Sequence, residues 1–197
     1  MAPVIRLVNV FKQGYDLCMA FFRRNKKIKD AAYVLFSNIV EQARHPEFYV
    51  NWQVADTLDG RFDLIILHVG LVVNRLESSG DDKQVALLIR YLQEVLFDNM
   101  DMSLRELGVG DMSVGKKVKI MAEAYYGRLT VYRKAIRSDN MASALKSSLA
   151  RNIYRDVGPD EAILKHFVSY VERQVKCLEE QTVEGLMQAK LVFTEVS

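Results

Sequence analysis

The chain of 197 residues has only two cysteines and three prolines. Cys18 and Cys177 lie far apart and neither belongs to a CxxC pair, so no zinc or redox framework can be read. Free, buried thiols in a reducing compartment are expected. The scarcity of proline, with no low-complexity run and no repeat at a solenoid period, marks no linker. One domain is therefore expected. A long hydrophobic run is also missing. The stretch from Leu64 to Val73 contains His68 and is about half the ~20 residues that a membrane-spanning helix needs. It reads as a core helix.

The recognisable processing signals are absent as well. The apolar run Leu17 to Phe22 follows Asp16 and precedes Arg23, Arg24, Lys26 and Lys27, which reverses the charge order of a secretory signal. The first serine is Ser37, whereas mitochondrial transit peptides are serine-rich. A bacterial cytoplasmic location is expected. Chemistry is equally sparse. There is no GxSxG element, and no cysteine and histidine are placed as a nucleophile pair. Neither His45 nor His166 forms an HxxxH or ExxH pair, so His68 has no partners for a haem or metal site. Asp98 and Asp101 lack a calcium-loop pattern. No catalytic residue, metal or cofactor is expected, and the protein reads as a non-enzyme.

Half of the residues are hydrophobic and about a quarter charged, enough for one substantial core. Apolar residues fall at helical spacing through most of the chain, which predicts an all-α, irregular bundle of about six or seven helices. Asp30 opens the first, with Ala32, Leu35, Phe36, Ile39 and Ala43 inward, and a loop carrying Phe48, Tyr49 and Trp52 follows Pro46. Asp59 caps a helix to Glu77, and Ser79-Gly80-Asp81 separates it from one with Val85, Leu88, Ile89, Leu92 and Leu96 inward. Ser113 caps a long helix through Val118, Met121, Tyr125, Leu129, Tyr132 and Ile136. Ser138 to Asn140 leads into a helix through Leu149. Gly158-Pro159-Asp160 starts the last, with Ile163, Phe167, Val171 and Leu178 inward.

Gly110 to Lys116 has the spacing GxxxxGK of a phosphate-binding loop, but Lys117 stands where Ser or Thr should hold magnesium, and no buried strand precedes it. GVGDMS likewise breaks GxGxxG at Ser113. Gly108, Gly110 and Gly115 are expected to serve backbone shape. The wider sequence carries a resemblance of another kind. The blocks ARHPEFY at 43–49, DTLDGRFDLIILHVGLVVNRL at 56–76, LFDNMD at 96–101, LRELGVGDMSVGKKVK at 104–119 and AYYGR at 124–128 together resemble the ubiquinol-cytochrome c chaperone family. They span about residues 30 to 138. Ala55 departs from the pattern, where Pro would precede the Asp-Thr pair.

The resemblance implies a helical assembly factor for the cytochrome bc complex, holding newly made cytochrome b or another respiratory membrane subunit. Family members of mitochondria act near the ribosome. The resembling region would form a helical domain over 29–197. The basic and apolar segment 1–28, in particular Leu17 to Lys27, fits either a membrane surface or packing onto the bundle. A peripheral position on the inner face of the cytoplasmic membrane follows from the first. DNA is not among the expected partners.

Charge falls in blocks. Residues 1–30 carry seven basic and two acidic side chains, 56–111 five and eleven, 112–155 ten and two, and 156–197 four and eight. Such blocks either steer partners or lie beside each other in the fold. On the helix from 60 to 77, Asp63, Gly70, Asn74 and Glu77 share one stripe, and Arg61, His68 and Arg75 share the opposite one. Burying three potential cations requires partners. Asp98, Asp101, Arg105, Glu106 and Asp111 form the neighbouring charged segment, which either neutralises the stripe internally or borders a client groove with it. Lys116, Lys119, Arg133, Lys134 and Arg137 share a further face. That face suits ribosomal RNA, anionic lipid or an acidic protein, so an RNA or ribosome adaptor is the alternative function. Arg128 lies off that face as a paired interior arginine, and Gly127 is a candidate for close helix packing.

Overall fold

The computed structural model describes residues 24–155 and 158–196. The helices are α1 (residues 24–43), α2 (Glu47–Val50), α3 (Leu58–Glu77), α4 (Lys83–Glu106), α5 (Asp111–Ile136), α6 (Met141–Asn152), α7 (Glu161–Glu180) and α8 (Val183–Met187). No strand occurs among the described residues. The all-α, single-domain expectation holds. The axis of the bundle is α3, in which every residue from Phe62 to Val73 is buried. A helix apolar on all sides must be covered on all sides. Helices α5 and α7 cover it most extensively, with α4 and α8 closing the remainder. Helix α1 adds Ile28, Ala32, Leu35, Phe36 and Ile39 to the same core. Each such fully buried aliphatic side chain contributes about 1.5–3 kcal/mol relative to exposure.

Several boundaries differ from the sequence expectation. Helix α1 starts before Asp30, and Ile28 in its first turns is buried in the core, while Arg24, Lys26 and Lys27 are exposed. Residues 1–23, which include Cys18 and most of Leu17 to Lys27, lie outside the described residues. Thr57, not Asp59, caps α3, its Oγ1 accepting from the Gly60 amide at 3.1 Å. Asp59 is turned to Arg155 instead. Gly110, not Ser113, is the first cap of α5. Asp160 is the N-cap of α7, which leaves Pro159 just outside the helix. Asn140 caps α6 by accepting from the Ser143 amide at 3.2 Å, as expected.

The aromatic stretch after Pro46 is not a plain loop. It forms the single turn α2, with Phe48 and Trp52 buried in T-shaped contact at 5.0 Å. A short helix cannot stand alone. Its supports are the Tyr49 hydroxyl donating to the Ala43 carbonyl at 2.9 Å and the Tyr154 hydroxyl donating to the Trp52 carbonyl at 2.7 Å. The turn between α2 and α3 then passes Gln53, at φ 56°, and the departing residue Ala55. A Cβ on Gly60 would meet the Ala55 carbonyl oxygen at 2.0 Å, so glycine is required for this close approach.

The stretch that imitates a phosphate loop is mostly helix. Gly108 has φ 79° and breaks the chain after α4. Gly110 has φ −65°, and Gly115 and Lys116 lie inside α5. Their amides are committed to helical hydrogen bonds and cannot cradle phosphate. Of the three glycines, only Gly108 meets the expectation of a strained backbone. At Gly127 a Cβ would meet nothing within 4 Å, so that glycine does not mediate packing; Gly70 does, with Leu129 at 3.4 Å.

Candidate functional site

The two opposed stripes of α3 serve different neighbours. The stripe of Asp63, Gly70 and Glu77 faces α5. There Asp63 lies 2.8 Å from Arg128, Gly70 packs against Leu129 and Tyr132, and Glu77 receives Arg133 at 2.5 Å. Oppositely charged blocks of sequence therefore meet inside the fold. Arg128 is the expected paired interior arginine, with its guanidinium also 5.6 Å from the Phe62 ring centroid. The sequence places Asp63 on this stripe, though not among the candidate binding residues. It is wholly buried and shared between Arg128 and Arg155, the latter at 3.1 Å and also bonded to Asp59. Burial pushes its carboxyl up to about 6, although both guanidiniums pull it down.

The stripe Arg61, His68 and Arg75 divides into three roles and does not meet the acidic segment. Arg61 is exposed and paired with Asp56 at 2.6 Å. His68 is wholly buried, which removes it from any surface. Its Nδ1 lies 2.8 Å from the Leu64 carbonyl and its Nε2 2.7 Å from the Tyr170 hydroxyl. A carbonyl only accepts, so Nδ1 carries the proton and Nε2 accepts from Tyr170. Burial pushes the imidazole down to about 4, and the ring is neutral. Arg75 donates from Nε to the Leu178 carbonyl at 2.9 Å and from Nη2 to the Gln181 carbonyl at 2.7 Å. It caps the end of α7, where helix carbonyls lack partners.

The acidic segment pairs mainly with itself. Arg105 joins Asp101 at 2.5 Å and also binds Asp111, stapling the end of α4 to the start of α5. Asp98 is exposed, and Glu106 lines a groove. This groove, of about 240 Å³, lies where α3, α4 and α5 meet the end of α1. Phe62, Ile65, Leu96, Met100 and Met121 supply its apolar side, with Arg44, Arg61 and Glu106 as charged border. Leu107 on its wall is 64% exposed. A second hollow of about 420 Å³ shares Arg44 and Arg61 and continues to Tyr49 and Val50. On the basic face, Lys116, Lys119 and Lys134 are exposed, while Arg133 and Arg137 are drawn to Glu77. Cys177 is a free, half-buried thiol. Among the described residues no three His, Cys, Asp or Glu side chains gather to hold a metal, and no helix is long and apolar enough to cross a membrane.

The all-α bundle thus carries an apolar groove rimmed by charge, a surface of the kind that binding proteins use. Its sequence matches the ubiquinol-cytochrome c chaperone model over residues 50–193, and the chain belongs to that family. It is 32% identical to the Cbp3 homolog of Brucella abortus in its crystal structure, with a TM-score of 0.79, covering 91% of this chain and 97% of that one. It is also 26% identical over 161 residues to ubiquinol-cytochrome c reductase complex assembly factor 1 of mouse, covering 82% of this chain and 53% of the mouse protein. The Xenopus laevis protein of that name matches at 26% as well, with 78% of its length covered. The chain spans about half the length of the mouse and human relatives.

Proposed function

We propose that this protein is a non-enzymatic assembly chaperone for the cytochrome bc complex, binding newly made cytochrome b in the groove between α3, α4 and α5. One observation carries the reading: the sequence blocks that carry the family resemblance converge on that groove. Arg44 comes from the first block, Arg61, Phe62 and Ile65 from the second, Leu96 and Met100 from the third, and Glu106 and Leu107 from the fourth. They come from distant parts of the sequence and share one surface. The names of the relatives support the complex as the destination. Apolar contact would supply affinity, and the rim charges would orient the client.

The test is capture of cytochrome b from detergent-solubilised membranes by the tagged full chain. Leu107→Asp and Leu58→Asp each place a charge on an exposed part of the groove wall, where folding tolerates it. Capture should fall about tenfold or more with the melting temperature unchanged. Undiminished capture by both variants would remove the groove from the mechanism. Release of ribosomal RNA by moderate salt, with no cytochrome b recovered, would instead favour the adaptor role of the basic face.

A further inference from the structure

After α8 the chain turns at Ala189, φ 60°, and residues 190–196 cross the bundle without helix or strand. Two glutamines, Gln174 on α7 and Gln181 at its C-cap, hold this strap by its backbone. The Thr194 amide donates to Gln174 Oε1 at 3.0 Å, and Gln174 Nε2 donates to the Thr194 carbonyl at 2.9 Å. The pattern repeats two residues earlier. The Val192 amide donates to Gln181 Oε1 at 3.0 Å, and Gln181 Nε2 donates to the Val192 carbonyl at 2.8 Å. Residues two apart in an extended chain present their N–H and C=O to one side, and residues seven apart share one face of a helix. The side-chain amides of α7 thus imitate the edge of a neighbouring β-strand.

This seat holds the strap mainly by its backbone and takes one of its side chains as well, Gln174 Nε2 donating to Thr194 Oγ1 at 2.6 Å. Gln174 is wholly buried on α7, one turn from Tyr170, which donates to His68 and accepts from Gln42 Nε2 at 2.9 Å. Gln42 also donates to the Thr194 carbonyl, at 3.1 Å. Arg75 fixes the far end by binding the Gln181 carbonyl. The apolar floor includes His68, 5.5 Å from the Phe193 ring centroid. Leu191 and Phe193 point into the core, while Val192 is exposed. Strap departure would leave the Gln174 amide to water alone, and another extended backbone laid on the seat would restore both of its backbone bonds. At the entry, Ala189 holds a left-handed conformation that is strained for a non-glycine residue.

We propose that the seat between α1, α3 and α7 is a binding site for an extended apolar peptide, occupied here by the chain's own strap, which an extended segment of the client displaces. The client as occupant rests on the chaperone reading. The capacity to bind such a peptide does not. Backbone recognition makes the seat tolerant of sequence, as strand addition to a sheet edge is. It suits a client that has not yet folded.

The probe is a fluorescent peptide with the sequence of residues 190–196, added to the full chain. Thr194→Pro removes the amide that Gln174 accepts and loosens the strap, so the peptide should bind this variant about tenfold more tightly than wild type, in proportion to the seat freed. Methylating the peptide nitrogens that correspond to Val192 and Thr194 should abolish binding, and so should Gln181→Ala in the Thr194→Pro background. In wild type, excess peptide should speed hydrogen exchange at the Val192 and Thr194 amides, a readout that needs no variant to fold. Equal binding of the methylated peptide, no binding to either protein, or strap exchange between copies that yields a stable dimer overturns the proposal. Peptide binding without cytochrome b capture would sink the chaperone reading alone.

Discussion

Asp63 and His68 sit five residues apart on α3, both wholly buried, and they respond to pH in opposite senses. Burial raises the Asp63 carboxyl from its ordinary 3.8 to about 6, so its contribution to stability is full below pH 3.8 and is lost as pH climbs through 6. Burial lowers the His68 imidazole from 6.5 to about 4, so its contribution is full above pH 6.5 and is lost as pH falls through 4. The two windows overlap, and the slopes oppose each other. Wild-type stability should change little between pH 4 and 6 from this pair. Asp63→Asn leaves only the histidine, and its stability should rise with pH across that window by up to about 1.4 kcal/mol per unit. His68→Asn should show the reverse slope. Urea titrations of the three proteins at half-unit steps check this, and parallel pH curves for all three would refute it.

At the scale of elements, Arg75 ties α3 to the end of α7 by binding the Leu178 and Gln181 carbonyls, of which Leu178 also accepts from the Gln181 amide at 3.2 Å. Arg75→Leu strands the Gln181 carbonyl and leaves no buried carboxylate unpaired, so the expected loss is about 1–3 kcal/mol. The urea midpoint should drop with an unchanged slope, and a wild-type midpoint would refute the capping role. Helical periodicity made the class of fold and most core faces legible: Leu35, Ile39, Leu88, Leu92, Tyr125, Leu129 and Phe167 are buried as their spacing requires. The caps were less legible because Thr57, Asp59, Gly110 and Ser113 all suit a helix start, and tertiary partners such as Arg155 decide among them. For the site, the sequence blocks supplied Arg61 and Glu106, which line the proposed groove, yet they could not separate the exposed Arg61 from the buried His68 two turns on. The strap was invisible because its holders, Gln174 and Gln181, act only through a chain brought back across the fold. Their sole sequence signal is a pair of amides seven apart on an apolar stripe.

Across the whole molecule, charge that looks segregated in sequence is partly consumed at the α3–α5 contact, through Asp63 with Arg128 and Glu77 with Arg133. Charge away from that contact bears on location. The sequence before the described helix α1 brings Phe21 and Phe22 beside Arg23, and Arg24, Lys26 and Lys27 are at the exposed start of α1 or adjoin it. Apolar insertion and attraction to anionic lipid reinforce each other in such a segment, at about 1 kcal/mol for each basic residue near the surface. We expect the full chain to float with vesicles containing anionic lipid and to remain in the dense fraction with neutral ones. The variant for this test removes residues 1–23 only, because Ile28 is part of the core and a cut at 28 would confound membrane loss with unfolding. Flotation should fall several-fold in that variant while its melting temperature stays within a few degrees of wild type, and raising salt should release the full chain as screening shortens the reach of its charges. Equal recovery from neutral and anionic vesicles, before and after the deletion, would show that this segment does not bring the protein to a membrane. On the proposed chaperone reading, contact with a client would then rest on the groove and the strap's seat without help from this segment.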